Sequence, residues 1–153
     1  MENQKKSIVI LVADDDSEDC MLIKEAFKEG LLVNGLRFVE DGEELMDYLH
    51  HKGKYKDPSL SPRPGIILLD LNMPRKDGRE ALKEVKTDPD LKAIPVVILT
   101  TSKDEEDILR SYNLGANSYI TKPVTFTGLV SAIKALGKYW LEIVELLPER
   151  KEG

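Results

Sequence analysis

Four short runs rich in aliphatic and β-branched residues punctuate this chain, and each is followed by a polar residue. Ser7–Ala13 leads to Asp14 and Asp15, Gly65–Leu69 to Asp70, Pro95–Leu99 to Thr100, and Ser118–Thr121 to Lys122. Such runs, bounded by turn signals, read as buried strands of a parallel sheet. Between them the apolar spacing changes to that of helices. Leu22, Ile23, Ala26 and Phe27 predict a helix from Ser17 to about Glu29, with Gly30 as its stop. Leu36–Val39 is a short second strand, and Gly42 to about His51 a helix turning Leu45, Met46 and Leu49 inward. Residues 52–64 carry Gly53, Pro58, Pro62 and Pro64 and read as a long loop. The remaining strands are placed at Ile66–Leu69, Val96–Leu99 and Ser118–Thr121. The remaining helices are placed at Arg79 to about Lys86, Asp104–Leu114 and Phe126–Leu147.

Five alternations of strand and helix predict a doubly wound (βα)5 sandwich around a five-stranded parallel sheet. The last helix outruns the sheet. The chain is therefore read as one domain over 1–153, with its core at about 7–137 and a helical extension at about 138–153.

Composition narrows the function. With 153 residues there is enough chain for a substantial core. The net charge of −6, with 33% charged residues, argues against a nucleic-acid domain or docking on an anionic membrane. No apolar run approaches the roughly 20 residues of a membrane span. The polar start Met-Glu-Asn-Gln-Lys-Lys shows no secretory signal, and Cys20 is the only cysteine, so a reducing cytoplasm is expected.

In an open α/β sheet, ligands gather at the carboxyl ends of the strands. Asp14, Asp15, Asp70, Thr100 and Lys122 should then share one rim. Adjacent carboxylates at a strand end can both reach one cation, and oxygen ligands suit Mg²⁺. The alternative for Asp14 and Asp15 is service to the helix that follows, with Asp16 or Ser17 as its cap. Asp70, at the end of a buried strand, is a candidate nucleophile toward phosphorus. Asn72 can offer its backbone carbonyl to the cation. Thr100 can donate a hydroxyl to a phosphoryl group, or simply bond the backbone. Lys122 can meet phosphate oxygens as a point charge, or be a surface lysine. Phosphoryl transfer asks for little beyond positioning and charge neutralisation. The chain carries no Gly-rich phosphate loop and no Gly-x-Ser-x-Gly elbow.

These motifs together resemble the receiver domain of two-component response regulators. The matching segments are Ile10 to Asp16, Ile66 to Gly78, Pro95 to Ser102 and Gly115 to Pro123. The resemblance implies a flavodoxin-like fold and a phosphoryl group accepted on Asp70 from a histidine kinase. It implies Mg²⁺ held by Asp14, Asp15, Asp70 and the Asn72 carbonyl. Thr100 and Lys122 would contact the phosphoryl group, Thr100 and Tyr119 would form the switch pair, and Asn72 and Ser102 would tune the lifetime of the acyl phosphate. Leu-Thr-Thr-Ser102, the Pro-containing insertion before the third strand and Tyr139-Trp140-Leu-Glu-Ile143 are most similar to stand-alone regulators of phytochrome-type kinases. Such a protein signals by contact rather than by turning over a substrate.

An output face is expected on the fourth helix, fifth strand and last helix, with Ile108, Tyr112, Tyr119, Tyr139, Trp140 and Ile143 as its apolar positions. A homodimer through this face is one reading, and a tail folded back on its own domain is the other. Two functional alternatives stay open: a receiver-like adaptor that works without phosphorylation, and a phosphatase of the haloacid dehalogenase type. The latter fits Asp14-Asp-Asp16 superficially but leaves Asp70 without a role.

Overall fold

A computed structural model describes residues 9–29, 35–71, 73, 76–100, 115 and 118–121, with positions 127, 128, 130, 131, 134 and 135 of the last helix. Its strands are β1 (Ile10–Ala13), β2 (Leu36–Val39), β3 (Ile66–Asp70), β4 (Val96–Thr100) and β5 (Ser118–Thr121). Its described helices are α1 (Ser17–Glu29), α2 (Gly42–His50) and α3 (Gly78–Thr87). The expected helix over Asp104–Leu114 and the end of the last helix lie outside the described residues.

The five strands form one parallel sheet in the order β2-β1-β3-β4-β5. Alternate strand residues enter two separate cores, which is why the strands read as continuous apolar runs. Leu11, Ala13, Ile67, Leu69, Val96 and Ile98 pack with α2 and α3 through Leu45, Leu49, Leu82 and Val85. Ile10, Val12, Ile66, Leu68, Val97 and Leu99 pack with Ile23, Ala26 and Phe27 of α1, and Val130 leans on this second core.

The helix ends follow local chemistry. Asp16 Oδ1 accepts from the Glu18 and Asp19 amides at 2.9 and 3.3 Å, so Asp16 rather than Ser17 caps α1. Asp41 caps α2 through the Glu44 amide, at 2.8 Å, and Asp77 caps α3 through the Arg79 and Glu80 amides. His51, expected as the last residue of α2, instead sits just past it in the left-handed region, at φ 57° and ψ 50°. Its amide bonds back to the Tyr48 carbonyl, and the chain turns there.

Two expectations are adjusted further. Among the described residues β1 begins at Ile10: the Val9 carbonyl accepts from the Gly65 amide at 2.8 Å but Val9 lies outside the strand, and Ser7 and Ile8, also expected in it, lie outside the described residues. Residues 52–64 are not plain loop. A short 3-10 turn spans Gly53–Tyr55. The fully buried Ser61 donates its hydroxyl to the Tyr55 and Asp57 carbonyls, both at 3.0 Å. Tyr48 donates to the Pro62 carbonyl at 2.8 Å, and the Tyr55 ring tilts against Tyr48 with centroids 5.1 Å apart.

Candidate functional site

The strand order reverses direction at β1, with β2 on one side and β3 on the other. The crevice beyond the carboxyl ends of β1 and β3 is where a doubly wound sheet binds its ligand. The register fills that crevice with acid. Ala13 pairs with Leu69, so Asp14 and Asp70 leave the sheet side by side. Oxygens of Asp14, Asp15 and Asp70 all lie within 4.8 Å of one another. Asp14 and Asp70 are 1% and 6% exposed, whereas Asp15 is open to solvent.

Local hydrogen bonds orient Asp14. The Asp14 amide donates to the Val39 carbonyl at 3.0 Å, and Asp14 Oδ1 accepts the Asp16 amide at 3.0 Å. Asp70 ends β3, where its neighbours are the apolar residues of two cores. Two carboxylate charges 4.8 Å apart repel by about 3 kcal/mol at an effective dielectric of about 20. A cation among them turns that repulsion into attraction. Three carboxylate oxygens from rigid backbone, with one ligand open to water, fit a hard divalent cation.

Residues 10–134 match the family described as the response regulator receiver domain. The chain belongs to that family. Among its relatives, response regulator Rcp1 of Synechocystis sp. is 44% identical over 138 residues, covering 90% of this chain and 92% of Rcp1. The phosphorylated cyanobacterial phytochrome response regulator RcpA superposes with a TM-score of 0.82 at 43% identity, over 90% of this chain and 96% of that one. The Mn²⁺-bound form of Rcp1 superposes with a TM-score of 0.81 at 44% identity, over 93% and 99% of the two chains.

The receiver fold expected from the sequence is thus present, and the structure brings Asp14, Asp15 and Asp70 together. The register of β3, β4 and β5 extends this rim. Asp70 pairs with Leu99, and Thr100 pairs with Thr121, the residue before Lys122. The Thr100 and Tyr119 side chains, and Asn72, Ser102, Ile108, Tyr112, Lys122, Tyr139, Trp140 and Ile143, lie outside the described residues.

Gly42 and Gly78, expected only as a helix start and as the end of a turn, make close backbone approaches near the site. A β-carbon at Gly78 would stand 2.3 Å from the Asp70 carbonyl oxygen, and one at Gly42 would stand 2.1 Å from the Lys76 carbonyl oxygen. Both therefore flank the segment that leaves Asp70. Their only sequence signal was the pairs Asp41-Gly42 and Asp77-Gly78, which also mark ordinary turns. Lys76 in that segment pairs with Glu84 of α3 at 2.7 Å, and this hydrogen bond holds the ammonium above the ordinary lysine range.

Proposed function

We propose that this receiver takes a phosphoryl group on Asp70 and signals through contacts that depend on it. The observation that carries the reading is the meeting of Asp14, Asp15 and Asp70 oxygens within 4.8 Å in the β1/β3 crevice. Asp14, Asp15, Asp70 and the Asn72 backbone carbonyl would hold Mg²⁺, which when bound offsets the charge of the phosphoryl oxygens. An Asp70 carboxylate oxygen attacks phosphorus in line with the leaving group. From a histidine kinase, the P–N bond of the phosphohistidine breaks and its electron pair returns to the imidazole, which takes a proton from water. The product is an acyl phosphate on Asp70. Thr100 would give that phosphoryl group a hydrogen bond and Lys122 a positive charge. Burial of Asp14 and Asp70 keeps competing water few and the geometry fixed.

Thr100 and Tyr119 form the switch, and Asn72 and Ser102 set how long the acyl phosphate lasts. The partner is a sensor histidine kinase of the phytochrome type, a reading supported by likeness to RcpA, a phytochrome response regulator. The chain works in the cytoplasm, promotes only its own phosphoryl transfer and dephosphorylation, and spans one domain over 1–153. Among the described residues no helix is long and apolar enough to cross a membrane. It pairs as a homodimer through Ile108, Tyr112, Tyr119, Tyr139, Trp140 and Ile143. Sedimentation equilibrium at high micromolar concentration tests the pairing, and a strict monomer with and without beryllofluoride removes it.

The deciding experiment is intact mass after incubation with Mg²⁺ and acetyl phosphate, beside Asp70→Asn. One added phosphoryl group is expected, absent from the variant and absent without Mg²⁺. Equal phosphorylation of Asp70→Asn would move the acceptor elsewhere.

A further inference from the structure

Gly42 opens α2, and its amide donates to the Lys76 carbonyl at 3.0 Å. A β-carbon at Gly42 would lie 2.1 Å from that oxygen, 2.8 Å from the carbonyl carbon and 2.7 Å from the Lys76 β-carbon. Backbone cannot swing aside as a side-chain tip can. Gly42 sits in the first turn of a right-handed helix, where alanine would ordinarily be the better residue. Close approach, not backbone freedom, is what requires glycine here.

The contact is braced from both sides. On the α2 side, Asp41 is buried and accepts the Glu44 amide at 2.8 Å, while Glu44 Oε1 accepts the Glu40 amide at 2.8 Å. On the other side, the Gly78 amide donates to the Leu71 carbonyl at 2.9 Å, and Lys76 is tied to Glu84. The chain leaving Asp70 is therefore pinned at Leu71, at the Lys76 carbonyl and at the Lys76 ammonium.

We infer that Gly42 is a positioning residue for the cation site: the α2 N-terminus clamps the segment after Asp70 and so sets the geometry in which Asp70 meets Asp14 and Asp15. This rests on the reading of those carboxylates as a Mg²⁺ site. Changing a group that orients metal ligands from behind typically weakens affinity about 10–100-fold.

The test is a Mg²⁺ titration of the full chain by calorimetry, comparing wild type, Gly42→Ala and Gly35→Ala. Gly35 is the control, since a β-carbon there would meet Val9 Cγ2 at an ordinary 3.5 Å. Gly42→Ala is expected to bind Mg²⁺ about tenfold more weakly, and Gly35→Ala like wild type. Urea unfolding without Mg²⁺ checks that each variant is folded. Wild-type Mg²⁺ affinity in folded Gly42→Ala would overturn the inference and leave the cation site standing. Should Gly42→Ala fail to fold, hydrogen exchange of the wild-type Gly42 amide decides. Coupling is reciprocal, so saturating Mg²⁺ should slow that exchange about tenfold. Unchanged exchange would overturn the inference. A wild-type protein that binds no Mg²⁺ overturns both the inference and the site reading on which it rests.

Discussion

Gly78 stands so close to Asp70 that a β-carbon on the glycine would lie 2.3 Å from the aspartate's carbonyl oxygen and 2.6 Å from the Leu71 α-carbon. The first turn of α3 is thereby seated directly on the backbone of the proposed acceptor. Gly78→Ala must push α3 and β3 apart, and overpacking of this kind costs about 1–3 kcal/mol. The expected result is a lower urea midpoint at unchanged m-value, with slower phosphorylation by acetyl phosphate. A midpoint equal to wild type would mean that α3 can slide without cost.

The proposed cation site predicts that Mg²⁺ stabilises wild type more than a variant lacking one of its ligands. In Asp14→Asn the amide oxygen can still accept the Asp16 amide, which bonds Asp14 Oδ1 at 3.0 Å in the wild type. What is lost is one of the three carboxylate charges that meet in the crevice. At Mg²⁺ a hundredfold above its dissociation constant, wild type should gain about 2.7 kcal/mol, and Asp14→Asn only a small part of that. Thermal melts across a Mg²⁺ series measure both. Equal stabilisation of the two proteins would show that Asp14 is not a ligand.

The carboxylates of this site were legible because a strand of a parallel sheet has to be apolar on both faces, so Asp14 and Asp70 stand out where the run stops. The glycines were not, because what demands glycine at position 42 is the Lys76 carbonyl, more than thirty residues away along the chain. The left-handed turn at His51 was not legible for a related reason. The expected stop signal is glycine, but here the left-handed position falls on a histidine whose Nε2 lies 2.9 Å from the Ser61 carbonyl oxygen, and Gly53 comes later. The prolines of residues 52–64 correctly forbade a strand or a long helix. They said nothing of Ser61, Tyr48 and Tyr55, whose hydrogen bonds and ring contact give the segment its shape.

Tyr55 gives the protein an alkaline dependence. Burial, followed by its hydrogen bond to the Glu44 carboxylate, raises the Tyr55 hydroxyl well above the usual tyrosine value of 10.0. The folded state then holds the proton after the unfolded chain has released it. Stability from this group is complete below about pH 10 and falls as pH climbs beyond it, because the native state binds more protons. Tyr48, also raised chiefly by burial, acts in the same direction. Tyr55→Phe should lose less stability than wild type between pH 9 and pH 11. Urea midpoints at the two values test this, and parallel losses would assign the dependence to Tyr48 and other groups.

Lys86 works in the opposite sense. It lies near the end of α3, where its ammonium donates to the Lys92 and Ile94 carbonyls at 3.0 and 2.8 Å, tying down the turn into β4. Its stem runs beside Gly115, whose added β-carbon would meet Lys86 Cγ at 2.8 Å. Burial lowers the Lys86 ammonium below the usual lysine value of 10.5. The unfolded chain therefore holds this proton longer, and the contribution to stability rises with pH through the window just below 10.5. Lys86→Met keeps the stem and removes the charge. Two carbonyls lose their donor, while the cost of burying the ammonium is also relieved, so the net loss at pH 7 should be about 1 kcal/mol. The variant should also fall more steeply than wild type between pH 9 and pH 11, since the rising term is gone. Urea denaturation of both proteins across that range decides it, and a shallower fall in Lys86→Met would show that the carbonyls, rather than burial, set the ionisation of this lysine.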